Sequence, residues 1–430
     1  MKRFLIAFAC LVAFILVLSS VPTQLFPEFF FYPWLVAKGQ IQYRDFFDHH
    51  GFLTNMFLAP FAKQQTLGQI RFTFFLMQVA QFLLIARLVA DKIKRPLHFL
   101  CALVLYGIFQ FSVVGNMMWY DQWMALLLVA AWYFFEMRGE GKGWLFFALA
   151  TMVKPTAVLF FFPFYGMTKN KKNTLFVFAV WLFPLLYYFW KGGLGQLWEQ
   201  LVMFNTFYVQ STYKTLYLGI GIKLLFSIAI GYGALVLVAL LEKKRRTPLA
   251  FAFFCSILFF FQGLSKINLA ISVPFFILLF ADMWQIRKWR LYLGILFVAL
   301  ILILGRDAVK TYQEIRKSKP YVYSIARSEV DQIKKLTEKR GDKNILVLGN
   351  RPEIYYLLDI LPTGRTALSF PWTEKKYPRS YELNSIYTVL IPKQLGEYES
   401  IPSGFLKRLT NRYAVVGQTA SYTIWRYNKQ

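Results

Sequence analysis

Charge is scarce in this sequence, and negative charge is scarcest. Of 430 residues only 22 are Asp or Glu, against 49 Lys or Arg, and the charged residues together make up 17%. A soluble globular chain carries about 25%. With 57% hydrophobic residues and a mean hydropathy of +0.43, the composition is that of a membrane protein. The net charge of +27 is therefore a matter of basic loops rather than of nucleic-acid binding. Cysteine is nearly absent: Cys10, Cys101 and Cys255 all lie in apolar runs and read as small core residues. None falls in the polar C-terminal part, which excludes a disulfide framework there. There is no Asn-x-Ser/Thr sequon, no HExxH, no CxxC and no glycine-rich phosphate loop. Gly349-Asn350-Arg351-Pro352 follows a strand-like run but lacks dinucleotide spacing, so neither a nucleotide motor nor a dinucleotide oxidoreductase is indicated.

What the sequence has in abundance is apolar runs. Spans are expected near 4–21, 69–90, 97–114, 122–136, 144–153, 155–168, 174–190, 218–241, 248–262, 267–284 and 291–306, about eleven in all. The start, Met1-Lys2-Arg3-Phe4, could pass for a signal peptide, but Ser19-Ser20-Val21-Pro22 is only a mediocre small-residue cleavage site and a retained helix is expected. The 144–168 run reads as two short helices broken at Lys154-Pro155, since proline disrupts the helix on its N-terminal side. That reading gathers 17 Lys/Arg with the N-terminus on one side and leaves 7 in the short loops opposite. The positive-inside rule then predicts a plasma-membrane protein with a cytoplasmic N-terminus and an extracytoplasmic C-terminal domain. Within the first outer loop, 22–68, two aromatic pieces (25–38 and 52–63) are expected to lie in the headgroup plane. A third aromatic outer segment is 191–217.

From 307 the character changes, which divides the chain into a membrane domain, 1–306, and an external domain, 307–430. Helical spacing over 321–345 is followed by a strand at 344–349, a helix start at 353–357, and strands at 387–391, 413–416 and 422–427. The fold class expected is a polytopic α-helical membrane protein with a small external α/β domain. That domain carries 21 Lys/Arg against 12 Asp/Glu, which suits anionic headgroups or a phosphate-bearing ligand as well as a merely solvated surface.

Between the two aromatic pieces lies Tyr43-Arg44-Asp45-Phe46-Phe47-Asp48-His49-His50-Gly51, with two carboxylates and two of the three histidines. A titratable cluster at a membrane surface is a functional-site candidate. Asp45 and Asp48, three apart, would share a helical face and supply a general base. The same Asp-x-x-Asp-His-His set could hold a divalent cation, or simply cap a polar turn. Glu28 is a second candidate base. Arg44, His49 and His50 complete the substrate-facing set. Lys154, at the outer end of a broken helix, is placed to neutralise a phosphate, and Lys266 sits similarly between spans; snorkelling is the plain alternative for both. Asp121 could line the same cavity or cap the following helix. Arg71 is a further phosphate candidate.

In this order the motifs resemble the GT-C superfamily of polytopic glycosyltransferases, in particular bacterial members related to protein O-mannosyltransferases and lipid A aminoarabinose transferase. The stretch Lys38-Gly39-Gln40-Ile41-Gln42-Tyr43-Arg44-Asp45-Phe46-Phe47-Asp48-His49-His50-Gly51-Phe52-Leu53 is similar to the family's first outer loop. Ala150-Thr151-Met152-Val153-Lys154-Pro155 is similar to its small-residue run ending in lysine, and 344–358 to the strand and helix that open its external domain. Two features depart from the pattern: only Pro27-Glu28 stands where many relatives have an Asp-Glu pair, and Gly51-Phe52-Leu53 replaces a Pro-Leu step. The resemblance implies a polyprenyl-phosphate sugar as donor, a lipid, glycan or protein as acceptor, and inversion at the anomeric carbon. It implies a base among Glu28, Asp45 and Asp48, lysines such as Lys154 on the leaving phosphate, and no obligatory metal. A transporter or flippase of lipid-linked sugars would also explain spans and buried lysines, but not an external domain. A surface-polysaccharide polymerase or ligase would share the donor, with its key residues in a later loop.

Overall fold

In a computed structural model the described residues are 1–63, 67–137, 139–206, 247–261, 266–317, 327–338, 344–349, 351–365, 386–394, 401 and 405–428. The expected span at 218–241 and the second half of the 191–217 segment lie outside them. Among the described residues five helices are long and apolar enough to cross a membrane: Lys2–Ser19, Leu67–Lys92, Pro96–Val114, Lys171–Trp190 and Arg287–Lys317. Several of them turn apolar side chains outward, with Phe4 74% exposed on the first, Phe178 and Phe183 above 70% on the fourth and Leu291 78% on the fifth. Faces of that kind need an apolar surrounding, as a lipid-embedded chain would have. Shorter helices, Tyr120–Met137, Glu140–Val153, Thr247–Phe261 and Ser272–Met283, fill the interior.

The break at Lys154-Pro155 is present. Helix Glu140–Val153 ends there, Lys154 is extended, and a 3-10 turn, Pro155–Phe160, leads into Phe161–Met167. The chain reverses: Glu140, where the first arm begins, accepts hydrogen bonds from the backbone N–H groups of Lys169 and Asn170 and from Asn173, beyond the end of the second. Fourteen helical residues rise only about 21 Å, short of the ~30 Å hydrocarbon core, so this hairpin depends on its neighbours. Trp144, Phe147 and Phe164 supply that contact, all buried.

Basic residues collect at one end of the bundle. Arg3 donates to the carbonyls of Ala90 and Ile93, Lys92 pairs with Glu136, His98 packs on Trp284, and Gln285 donates to the Lys92 carbonyl. The 169–173 segment lies at this end through Glu140. At the opposite end β1 (Gln24–Leu25) pairs with β2 (Met117–Met118), and Asn116 binds the carbonyls of Leu18 and Val21.

The aromatic piece expected in the headgroup plane forms helix Glu28–Ala37, but it is not superficial. Phe29, Phe30, Phe31 and Trp34 are fully buried. A helix apolar all round has no polar face to offer water and is driven inside. It is covered from the C-terminal part: Phe30 and Trp34 pack on Tyr356, Phe31 on Tyr355, and Lys38 pairs with Asp359. Helix Leu53–Ala62 keeps an outward edge, with Phe57 half exposed.

The C-terminal residues form helix Arg327–Glu338, β3 (Ile345–Val347), helix Glu353–Leu358, β4 (Thr388–Pro392), helix Phe405–Thr410, β5 (Tyr413–Gln418) and β6 (Tyr422–Tyr427). The sheet order is β3-β4-β6-β5, with β3 parallel to β4 and the other pairs antiparallel. Ile345 and Val347 face one core with Val330, Ile333 and Tyr355, while Leu346 and Leu348 face another with Val389, Phe405 and Leu409. Burial on both faces explains why this strand reads as a continuous apolar run.

Candidate functional site

The 41–51 segment is not helical, so Asp45 and Asp48 do not share a helix face as expected. It is a series of tight turns in which Tyr43 has φ of +68°, a left-handed conformation uncommon for a bulky side chain. The strain is held from several directions. The Tyr43 hydroxyl donates to the His50 carbonyl at 2.7 Å, and its own carbonyl accepts from Gln200 at 2.8 Å and from Arg365. Phe47 N–H donates to the Arg365 carbonyl, and Asn205 donates to the His49 carbonyl. Gln200 lies on a π-helical turn, Glu199–Phe204, a form often found at functional sites.

The two aspartates have separate fates. Asp45 takes a bidentate contact from Arg44 at 2.7 and 2.9 Å and accepts the Ile41 N–H at 2.7 Å, closing its own turn. The Arg44 contact holds its carboxyl below the usual range. Arg44 also reaches the Lys191 carbonyl, so it serves the loop rather than an open pocket. Asp48 is fully buried. One carboxylate oxygen accepts the His50 N–H and meets His50 Nδ1, both at 2.9 Å; the other accepts from Asn55 at 2.8 Å and Gln42 at 3.2 Å. Its own N–H donates to Gln200. Burial pushes Asp48 up to about 7, against the opposing pull of His49, the His50 N–H and the Asn55 amide.

His50 stacks on Tyr120, ring centres 3.8 Å apart and 9° from parallel, and His49 lies 4.1 Å from His50. Burial holds both imidazoles well below their ordinary pKa, and the Lys154 charge adds to this in each case. They are therefore neutral at physiological pH. Glu28 is buried at the start of its helix, and its Oε2 has no hydrogen-bond partner. Burial pushes it up to about 7, helped by the charges of Asp48 and Glu353. The Tyr120 hydroxyl beside them is likewise buried without a partner.

Lys154 Nζ reaches both oxygens of fully buried Asp121, at 2.9 and 3.1 Å. The lysine is thus ion-paired, and Asp121, in the first turn of helix Tyr120–Met137, is its partner. The break in the 140–167 hairpin also anchors the loop, because Gly51 N–H donates to the Val153 carbonyl at 2.9 Å. A Cβ on Gly51 would lie 1.8 Å from the Met152 oxygen, so only glycine fits.

The structure therefore gathers Glu28, Asp48, His49, His50, Asp121 and Lys154 at one end of the bundle, with Arg44 and Asp45 at its rim. Arg71 stands apart on helix Leu67–Lys92, its Nε buried without a partner. Lys266 opens a 3-10 turn, Lys266–Ile271. Gln42, Asn55, Gln200 and Arg365 are supports that the sequence did not single out; a buried amide in an apolar helix, as at Asn55, was the available signal. No protein-family model matches this chain, and no curated protein matches it.

Proposed function

We propose that this chain is a membrane glycosyltransferase that moves a sugar from a polyprenyl-phosphate donor to an acceptor at the outer face of the membrane. The observation that carries the reading is a buried cluster of ionisable groups, Glu28, Asp48 and the Lys154–Asp121 pair, set at the end of an apolar bundle away from its basic loops. A lipid-linked substrate needs that placement: its prenyl chain stays among apolar helix faces while its phosphate and sugar reach polar groups at the rim.

In this reading Glu28 is the base. Asp45 is committed to Arg44 and Ile41, and both oxygens of Asp48 are occupied by donors, whereas Glu28 keeps an oxygen without a partner. Glu28 takes the proton from the acceptor O–H or N–H, and the freed lone pair attacks the anomeric carbon. The bond from that carbon to the phosphate oxygen breaks, its electrons leave with polyprenyl phosphate, and the configuration inverts. Lys154 offsets the charge that grows on the leaving phosphate, while Asp121 holds the ammonium at the helix break. Asp48 orients His50 and the turn around it.

The membrane orientation follows the same logic: the N-terminus and basic loops face the cytoplasm, and the C-terminal part, whose helix Glu353–Leu358 packs on the first outer loop, lies outside. The test is transfer of labelled sugar from a panel of polyprenyl-phosphate sugars by the full chain in proteoliposomes. Product from at least one donor supports the reading. Movement of the lipid-linked sugar across the bilayer without transfer would replace it with a flippase.

A further inference from the structure

We infer that Asp48, His49 and His50 form a binding site for one divalent transition-metal ion. The donor atoms of these three side chains all lie within 4.8 Å of one another. Two ligands on one ion, each about 2.1 Å away, stand at most ~4.2 Å apart, so the three need only small movements to close on a common centre. The Asp48 Oδ1 to His50 Nδ1 separation is 2.9 Å. Two bonds of about 2.1 Å that span this distance enclose about 90°, the angle between neighbouring positions of an octahedral ion. In the ion's absence a proton occupies that line, and metal binding displaces it.

Two further observations point to a cation. Glu28 is more than nine-tenths buried, its Oε2 has no partner, and it interacts electrostatically with Asp48. The Tyr120 hydroxyl, on the ring stacked against His50, is also buried without a partner. Among the described residues Asp121 forms an ion pair with Lys154, while no salt bridge joins Glu28 or Asp48 to a lysine or arginine. Two buried carboxylates without a cation are costly, and a divalent ion would neutralise both.

The donor chemistry selects the class of ion. Two imidazoles and one carboxylate with positions left open suit Mn²⁺, Fe²⁺ or Zn²⁺, whereas Mg²⁺ prefers oxygen alone. Gln42 and Asn55, which hold the second oxygen of Asp48, are the outer partners that fix its direction. The positions left open would accept an oxygen of a bound substrate. The inference does not depend on which group is transferred, since ion retention is measured without turnover.

The experiment uses the full chain in detergent, purified through a tag without histidine, stripped with a chelator and dialysed against Mn²⁺ or Zn²⁺, with Mg²⁺ as control. We expect about one equivalent of Mn²⁺ or Zn²⁺ by mass spectrometry, no retained Mg²⁺, and a raised melting temperature with the ion. His49→Gln and His50→Gln should weaken retention tenfold or more and remove that rise. If either variant fails to fold, the wild type with Co²⁺ decides: visible bands of mixed histidine and carboxylate ligation support the site. Wild-type protein that retains no more ion than the chelator-treated sample, or variants that retain as much as wild type, would overturn it.

Discussion

Lys154 and Asp121 form an ion pair in which the carboxylate is wholly inaccessible and the ammonium is 18% exposed. The lysine sits where a helix stops, so its backbone position is fixed by Pro155 and its charge by Asp121. Removing one partner of a buried pair leaves the other uncompensated, at about 3–5 kcal/mol. Lys154→Met should therefore lower the melting temperature sharply, and the double variant Lys154→Met, Asp121→Asn should recover most of that loss. Transfer should fail in both. Recovery of transfer in the double variant would show that the lysine only balances Asp121.

Gly51 is a close contact between the 41–51 loop and the broken hairpin. Gly51→Ala must displace the Met152–Val153 backbone, and overpacking of this kind costs about 1–3 kcal/mol, with more expected where the obstacle is main chain. Loss of folded protein in detergent, read by gel filtration, is the expected result. Normal yield and melting would mean that the loop does not dock on the hairpin as described.

The two aspartates should separate cleanly. The Arg44–Asp45 pair is partly exposed, and such pairs are worth about 1 kcal/mol or less. Asp45→Asn should leave transfer within about threefold of wild type. Because the folded pKa of Asp45 is depressed, its contribution is present above the ordinary carboxylate range and is lost as pH falls through the folded value. The acid limb of a stability-versus-pH curve should therefore flatten slightly in Asp45→Asn. Asp48→Asn keeps the shape but cannot hold four donors, and transfer should fall a hundredfold or more. Equal losses from the two substitutions would contradict the division of roles.

Tyr356 is buried against Phe30 and Trp34, so Tyr356→Ala opens a large cavity under helix Glu28–Ala37, at about 3–5 kcal/mol. The exposed Lys38–Asp359 pair at the same junction should contribute little, and Asp359→Asn should melt like wild type. Limited proteolysis of the C-terminal part, faster in Tyr356→Ala and unchanged in Asp359→Asn, is the expected pattern.

Much of this was legible in the sequence, for identifiable reasons. The Lys154-Pro155 break could be read because proline has a local, strong effect. The strands at 344–349, 387–391 and 413–427 could be read because short β-branched and aromatic runs leave few alternatives. The burial of helix Glu28–Ala37 was not legible, since an all-apolar amphiphile-length helix reads the same on a membrane surface or inside a protein. Nor could the loop be read: Tyr43 adopts its left-handed conformation because Gln200 and Arg365, more than 150 residues away, hold its carbonyl. Local spacing suggested paired aspartates on a helix; in the non-helical turn Asp45 instead bonds to Arg44 and Ile41, and Asp48 to His50. Glu28 was one of three candidate bases in the sequence; its burial and partnerless oxygen, which set it apart from Asp45 and Asp48, depend on tertiary packing that no motif announces.

The most direct measurement is labelled-sugar transfer from polyprenyl-phosphate donors by wild type, Glu28→Gln and Asp45→Asn in the same proteoliposomes, each checked for equal folded protein. A general base contributes about 10²–10⁴ in rate, so Glu28→Gln should retain about 1% of wild-type transfer or less while Asp45→Asn stays near wild type. Undiminished transfer by Glu28→Gln, or none by the wild type from any donor, would contradict the account.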